Sequence, residues 1–158
     1  MSGPAYVVFR LADPARVAEL HALVRSAFGA LAIDPPSSVL RETVEDFAAR
    51  LRSEVAFVAE CDGHLIGGVF CAPQADALYI GRLAVAPAWR RHGVASALIE
   101  AAKGQALALG LARITLRARI ALASNVALFR RHGFVIMGEE CHPGFTYPTS
   151  YEMALALK

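Results

Sequence analysis

Between Tyr79 and Ala97 the chain reads YIGRLAVAPAWRRHGVASA, and this run has the residue types that hold an anion. An apolar, strand-like segment turns at Pro87. Arg90, Arg91 and His92 follow, then Gly93, Val94, Ala95 and Ser96 open an alanine-rich helix. The first turn of a helix leaves its backbone N–H groups without internal acceptors and gathers partial positive charge. Small residues there let a phosphate or pyrophosphate reach those N–H groups, and the two arginines and His92 add donors. The expected guest is a phosphorylated cofactor. Two other phosphate signatures are missing. No Gly-x-x-x-x-Gly-Lys precedes a Ser or Thr, and Gly63, Gly67 and Gly68 do not have the Gly-x-Gly-x-x-Gly spacing. Gly93 and Ala95 also have a plainer reading, as small residues that let a helix pack close to its strand.

The elements that must position this run follow from periodicity and turn chemistry. Tyr6 to Leu11 reads as a short strand, and Asp13-Pro14 suits the start of a helix. Val17, Leu20, Val24 and Phe28 share one face of that helix. Asp34-Pro35-Pro36-Ser37-Ser38 is a loop, because paired prolines forbid helix. A second helix is expected with Leu40, Val44, Phe47 and Leu51 inward and Arg41, Glu42, Glu45 and Arg50 mostly outward. Val55–Cys61 and His64–Cys71 are strands joined by Asp62-Gly63, a two-residue hairpin signal. Gly67-Gly68 suggests a bulge or a close backbone approach. Pro73–Asp76 reads as a turn, Ala77–Val85 as a strand, and Val94–Leu109 as a helix stopped at Gly110. Arg113–Arg119 should then lie parallel to Ala77–Val85 through this helical crossover. Ser124 or Asn125 caps a short helix to His132, and Phe134–Gly138 and Tyr151–Leu157 are the last strands. The order predicts one α/β (α+β) domain over residues 1–158: a mixed sheet, helices on both faces, the first strand at an edge.

Composition narrows the function classes. Hydrophobic residues make up 56% and mean hydropathy is +0.42, yet no apolar run approaches the roughly 18 residues of a membrane span. Residues 1–16 lack a basic segment followed by an apolar stretch, so no signal peptide is expected. Three cysteines, Cys61, Cys71 and Cys141, form no Cys-x-x-Cys pair, which fits reduced thiols and a cytoplasmic protein. A net charge of +2 gives little support for a nucleic-acid binder. The histidines show no metal-ligand spacing, and no metal is expected.

With these elements in place, two strings carry a family resemblance. Leu83-Ala-Val-Ala-Pro87-x-x-Arg90-x-x-Gly93-x-Ala95 and Asn125-x-x-Leu128-Phe129-x-x-x-Gly133-Phe134 resemble the GNAT (GCN5-related) N-acetyltransferases. The first string is similar to the family's acyl-CoA pyrophosphate motif, Arg/Gln-x-x-Gly-x-Gly/Ala. The second is similar to the helix and Gly-Phe segment beside the pantetheine arm. The resemblance implies that Ala77–Val85 splays from Arg113–Arg119, freeing the backbone of Leu83, Ala84 and Val85 to bond the pantetheine amides. It implies that N–H groups of Arg91, His92, Gly93, Val94, Ala95 and Ser96 take the pyrophosphate of acetyl-CoA, with Arg90 or Arg91 adding charge. Asn125 and Phe129 would touch the pantetheine or thioester end. Asn125 could instead be a plain helix cap and Phe129 plain core.

Acyl transfer to an amine needs a neutral nucleophile, a donor for the charge developing on the carbonyl oxygen, and an outlet for the thiolate. An N–H near Val85 suits the second task. Many family members carry a tyrosine where this chain has Phe129, which has no proton to give. The acid must be Ser124, Tyr147, Tyr151 or water. The candidates for the base are Glu42, on the helix bordering the acceptor cleft, and His142, in the loop before the last strand. Tyr79 and Arg82 lie on the splayed strand and can face the acceptor.

The expected activity is an acetyl-CoA-dependent N-acetyltransferase acting on a primary amine of a small molecule or protein. A non-catalytic CoA-binding module and an aminoacyl-tRNA-acetylating toxin are the alternatives. Apolar surface at the C-terminal strands would suit a homodimer.

Overall fold

Asp62 and Gly63 both adopt positive φ, 50° and 80°, and close the expected hairpin between β2 (Val55–Cys61) and β3 (His64–Gln74). This is one feature of a computed structural model that describes residues 5–157. The other strands are β1 (Val7–Arg10), β4 (Ala77–Val85), β5 (Arg113–Arg119), β6 (Val135–Glu140) and β7 (Ser150–Ala156). All seven form one sheet in the order β1-β2-β3-β4-β5-β7-β6, with β1 at an edge. Every pairing is antiparallel except that of β4 with β5, which the long crossover makes parallel.

Two helices cover each face. Asp13 caps a short turn over Pro14–Arg16, its carboxylate accepting from the N–H of Ala15 at 2.9 Å, and α1 (Val17–Gly29) follows. With α2 (Val44–Arg50) it buries Leu20, Val24 and Phe47 against Val58 and Phe70 of the sheet. On the other face, α3 (Val94–Ala108) and α4 (Ala123–Arg131) bury Leu98, Ile99 and Phe129 against Ile114, Leu116 and Met153. Each of the larger side chains contributes about 1.5–3 kcal/mol by leaving water.

Gly67 and Gly68 sit where both layers press closest. A Cβ on Gly67 would lie 2.8 Å from Val94 Cγ1 of α3, and one on Gly68 would lie 2.8 Å from Leu20 Cδ1 of α1. The close approach expected there is real. Of the cysteines, Cys71 is buried and Cys61 half-buried, and burial pushes the Cys71 thiol up to about 12.

Four local expectations need correction. The helix expected from Leu40 splits into a short 3-10 turn, Ser38–Arg41, and α2. Thr43 causes the split: its hydroxyl accepts from the N–H of Asp46 at 3.1 Å while Asp46 accepts from the N–H of Thr43 at 2.8 Å. This capping box starts a new helix and leaves Glu42 extended, at φ −81° and ψ 141°, between the two. The strand expected to stop at Cys71 runs on through Pro73 to Gln74, and Ala75 makes the turn at φ 53°. Neither Ser124 nor Asn125 caps α4. The cap position is Leu122, without a side-chain bond, so both residues lie in the first turn. The final two strands begin one residue off the expected positions, at Val135 and Ser150.

Candidate active site at the splayed strands

The parallel strands β4 and β5 pair over only three positions, Ala77–Arg113, Leu78–Ile114 and Tyr79–Thr115. Beyond Tyr79 they part. The cause is on the opposite edge of β4, where Phe70 faces Gly81 and Gly68 faces Ala84. Three steps along β4 thus oppose two along β3. The extra residue is a bulge that bends β4 away from β5, and Arg82 within it adopts a left-handed φ of 54°. From Ile80 to Val85 the backbone is paired on its β3 side only. The resulting cleft of about 220 Å³ is lined by Leu83 from β4, Ala118 from β5, and Asn125 and Phe129 from α4. Ala84 is buried toward α1 and Val85 is half-buried, so these two can meet a ligand through their backbone.

At the far end of β4 the chain turns through Pro87–Trp89 into α3. Arg91 and Gly93 take φ of 65° and 78°, and Gly93 is the N-cap. Alternation of this kind aims successive N–H groups into one concavity. Among the described residues, no backbone or side-chain acceptor takes the N–H groups of Arg91, His92, Gly93, Val94, Ala95 or Ser96. Arg90, Arg91 and His92 are exposed around them. The loop is braced from outside the cavity: Tyr6 packs edge-on against Trp89 and donates to the carbonyl of His92 at 3.4 Å. His92 Nδ1 lies 2.9 Å from the carbonyl of Arg90, and Ser96 Oγ lies 2.9 Å from Nε2 of His132 on α4's C-terminal side. A diphosphate fits this cradle by charge and by donor count.

A second, adjoining cleft of about 440 Å³ opens on the α1 side of the sheet. Tyr79 lines both clefts. His142 lines the second, half-buried. Its N–H donates to Thr149 Oγ1 at 3.0 Å and its Nδ1 also contacts that hydroxyl. Thr149 in turn donates to the carbonyl of Glu140 at 3.3 Å. Where the Thr149 hydroxyl gives its proton to Glu140, Nδ1 of His142 is the donor to that oxygen and Nε2 keeps its lone pair. Burial, then the charges of Arg119 and Arg117, hold the His142 imidazole below its usual range, with Glu140 opposing. His142 is therefore neutral at pH 7 and able to accept a proton.

Glu42 and Tyr151 are placed differently from expectation. Glu42 is not on a helix. Its carboxylate is gripped by Arg82, Nε to Oε1 at 2.7 Å and Nη2 to Oε2 at 2.8 Å, and by Arg50 Nη2 at 2.6 Å. Burial alone would raise the Glu42 carboxyl, but the hydrogen bonds from Arg82 and Arg50 outweigh it and lower it. A carboxylate so stabilised is a poor base. Tyr151 lies on the opposite side of the sheet from His142. Strand alternation gives Ser150 to the cleft and turns Tyr151 toward the α3–α4 core. Tyr147 is exposed and lines neither cleft.

Three arginines of the second cleft, Arg41, Arg117 and Arg119, went unread as site residues. The signal was present in β5, Arg113-Ile-Thr-Leu-Arg-Ala-Arg119, whose strict alternation puts every polar side chain on one face. Among the described residues, no cluster of three His, Cys, Asp or Glu side chains is arranged to hold a metal. Nor is any helix there long and apolar enough to cross a membrane.

Solved structures with this architecture agree. A GNAT-family acetyltransferase from Streptococcus pneumoniae superposes with a TM-score of 0.79 at 21% identity, covering 98% of this chain and 100% of that one. The PaiA N-acetyltransferase of Thermoplasma acidophilum, solved in complex with coenzyme A, gives 0.80 at 17% identity, covering 97% and 99%. The ribosomal-protein-S18-alanine N-acetyltransferase of Escherichia coli gives 0.78 at 18% identity, covering 96% and 94%. No curated protein matches the sequence. The sequence model of the Acetyltransferase (GNAT) family matches residues 17–134, well over half of the chain. Cradle, splayed cleft and family match converge: this chain belongs to the GNAT family of acetyltransferases.

Proposed function

We propose that the chain transfers an acetyl group from acetyl-CoA to a primary amine, both bound at once. The observation that carries this reading is the unclaimed row of N–H groups from Arg91 to Ser96 at the end of an opened strand pair. The row would hold the pyrophosphate, with Arg90 and Arg91 adding charge. The exposed edge of Leu83–Val85 would bond the pantetheine amides as a neighbouring strand would, with Asn125 and Phe129 beside the arm. That the Thermoplasma acidophilum neighbour was solved in complex with coenzyme A supports a coenzyme A ligand for this fold.

Acetyl-CoA brings an acyl group activated as a thioester. His142 takes the proton of the incoming ammonium, so that the amine nitrogen can form its bond to the carbonyl carbon as the carbon–sulfur bond breaks. An N–H in Leu83–Val85 stabilises the carbonyl oxygen. Tyr79 gives a proton to the sulfur and regains the second proton that the nitrogen sheds as the amide forms, through water; burial raises its phenol, which therefore starts protonated at neutral pH. A cytoplasmic setting suits the three unpaired cysteines. Edge strand β6, with Val135 and Met137 exposed, supports a homodimer.

Calorimetry with acetyl-CoA, followed by a thiol-release assay over a panel of amines, tests the reading. Binding should be seen with the wild type and lost in Gly93→Glu, which puts a negative charge and a strained left-handed backbone at the helix start that forms the cradle. Absence of heat with the wild type, or unchanged affinity in the variant, sinks it.

A further inference from the structure

The acceptor cleft carries a charge of its own. Arg41 approaches from the 3-10 turn, and Arg117 and Arg119 approach from one face of β5. No Asp or Glu lines either cleft. Acidic groups nearby are largely engaged. Glu140 pairs with Arg117 at 3.2 Å, Glu42 is held by Arg82 and Arg50, and Glu152 lies beside Glu140. Asp34 acts on Arg119 only at a distance. Among the described residues, no carboxylate comes within ion-pair distance of Arg41 or Arg119.

Arg119 is half-buried, and its one hydrogen bond among these residues goes to the carbonyl of Pro36 at 3.4 Å, long for such a bond. Taking a guanidinium out of water without a carboxylate partner is costly. That cost falls when an anion enters, and the planar fork of arginine matches a carboxylate or phosphate with two parallel bonds. A polyamine entering the same space would meet charges of its own sign.

We propose that the acetyl acceptor is a small amine that also carries a carboxylate or phosphate, held through that anion by Arg119 and Arg41. The inference rests on the transferase reading and names its substrate class. The cleft volume of about 440 Å³ suits a small molecule. With the anion on the two arginines, the amine end points toward Tyr79 and His142, which line the same cleft.

Matched amines test this with acetyl-CoA saturating: β-alanine against its amide for a carboxylate, O-phosphoethanolamine against ethanolamine for a phosphate, and spermidine as the cationic extreme. Wild type should favour the anionic member of at least one pair by tenfold or more in kcat/KM, and that pair identifies the anion. Arg119→Gln and the exposed Arg41→Gln should each bring the ratio toward one, and Arg41→Gln, at a residue lining only the second cleft, should do so without changing acetyl-CoA affinity by calorimetry. A merely structural role would lower all amines alike and leave the ratio where it was. Equal or better use of the neutral members in both pairs, or preference for spermidine, overturns the acceptor assignment while the transferase reading stands. Acetyl-CoA binding with no turnover of any amine overturns the transferase reading, and the acceptor assignment falls with it.

Discussion

Arg82 and Glu42 join the strand bulge to the segment between the 3-10 turn and α2, through two charged hydrogen bonds of 2.7 and 2.8 Å. Arg82 is the left-handed residue of that bulge, and its guanidinium also lies 5.9 Å from the centre of the Phe70 ring. The pair therefore braces the bend that opens β4 from β5. The Glu42 carboxylate, held low by Arg82 and Arg50, is suited to bracing rather than to taking a proton.

Replacing Glu42 with Gln should leave Arg82 and Arg50 without their shared charge and cost about 2–4 kcal/mol. Urea denaturation at pH 7 checks the loss. The sign with pH follows from the lowered carboxyl: its contribution is full above the unfolded value near 4.5 and disappears as pH falls through the lower folded value. The gap between wild type and Glu42→Gln should therefore close below about pH 4. A constant gap from pH 7 to pH 3 contradicts the assignment.

His142 should set the acid limb of kcat/KM. Burial and the two nearby arginines lower its ordinary value of 6.5, so activity should begin to fall only below that pH. His142→Gln should remove this limb and slow the reaction roughly 10²-fold. Arg119→Gln removes one of the lowering charges, so the inflection should move up toward 6.5. A pH–rate profile with a limb that moves down, or that survives in His142→Gln, rules out this base.

Tyr79→Phe should lower kcat by about 10–100-fold while the KM for acetyl-CoA stays near the wild-type value. The phenol has no hydrogen-bond partner to lose among the described residues, so the thermal midpoint should move little. Steady-state kinetics showing an unchanged kcat would assign the thiolate's proton to water.

Gly67→Ala should destabilise the fold by about 1–3 kcal/mol. The new Cβ would meet Val94 Cγ1 at 2.8 Å, Leu98 Cδ1 at 3.1 Å and the carbonyl of Ala84 at 3.2 Å. Because Val94 begins α3, the displaced helix start should also weaken acetyl-CoA binding. Thermal melts with and without acetyl-CoA measure both effects, and a variant with native stability and affinity refutes the packing argument.

The donor cradle after β4 was readable because its signals are local. A turn, a glycine and a helix start within Pro87–Ser96 suffice to free a row of N–H groups, whatever lies elsewhere in the chain. Strand types and the Asp62-Gly63 hairpin were equally local, and the parallel pairing followed from the handedness of a strand–helix–strand crossover. The boundary at Thr43 was missed although its capping box is also a short-range pattern, Thr-x-x-Asp, which a continuous apolar periodicity concealed.

The acceptor side was a different problem. Ser150 and Tyr151 differ by one position, yet register sends the first to the cleft and the second to the core. Glu42 looked like a free carboxylate until Arg82, forty residues away, and Arg50 closed on it. The alternation in β5 shows that its arginines share a face, but only the assembled sheet places that face beside His142 and beneath Arg41. Backbone donors at a helix start come from neighbouring residues, whereas side-chain partnerships depend on which distant segments pack together. The sequence by itself therefore determined where a row of free backbone donors forms, and tertiary packing decided which side chains line the neighbouring cleft.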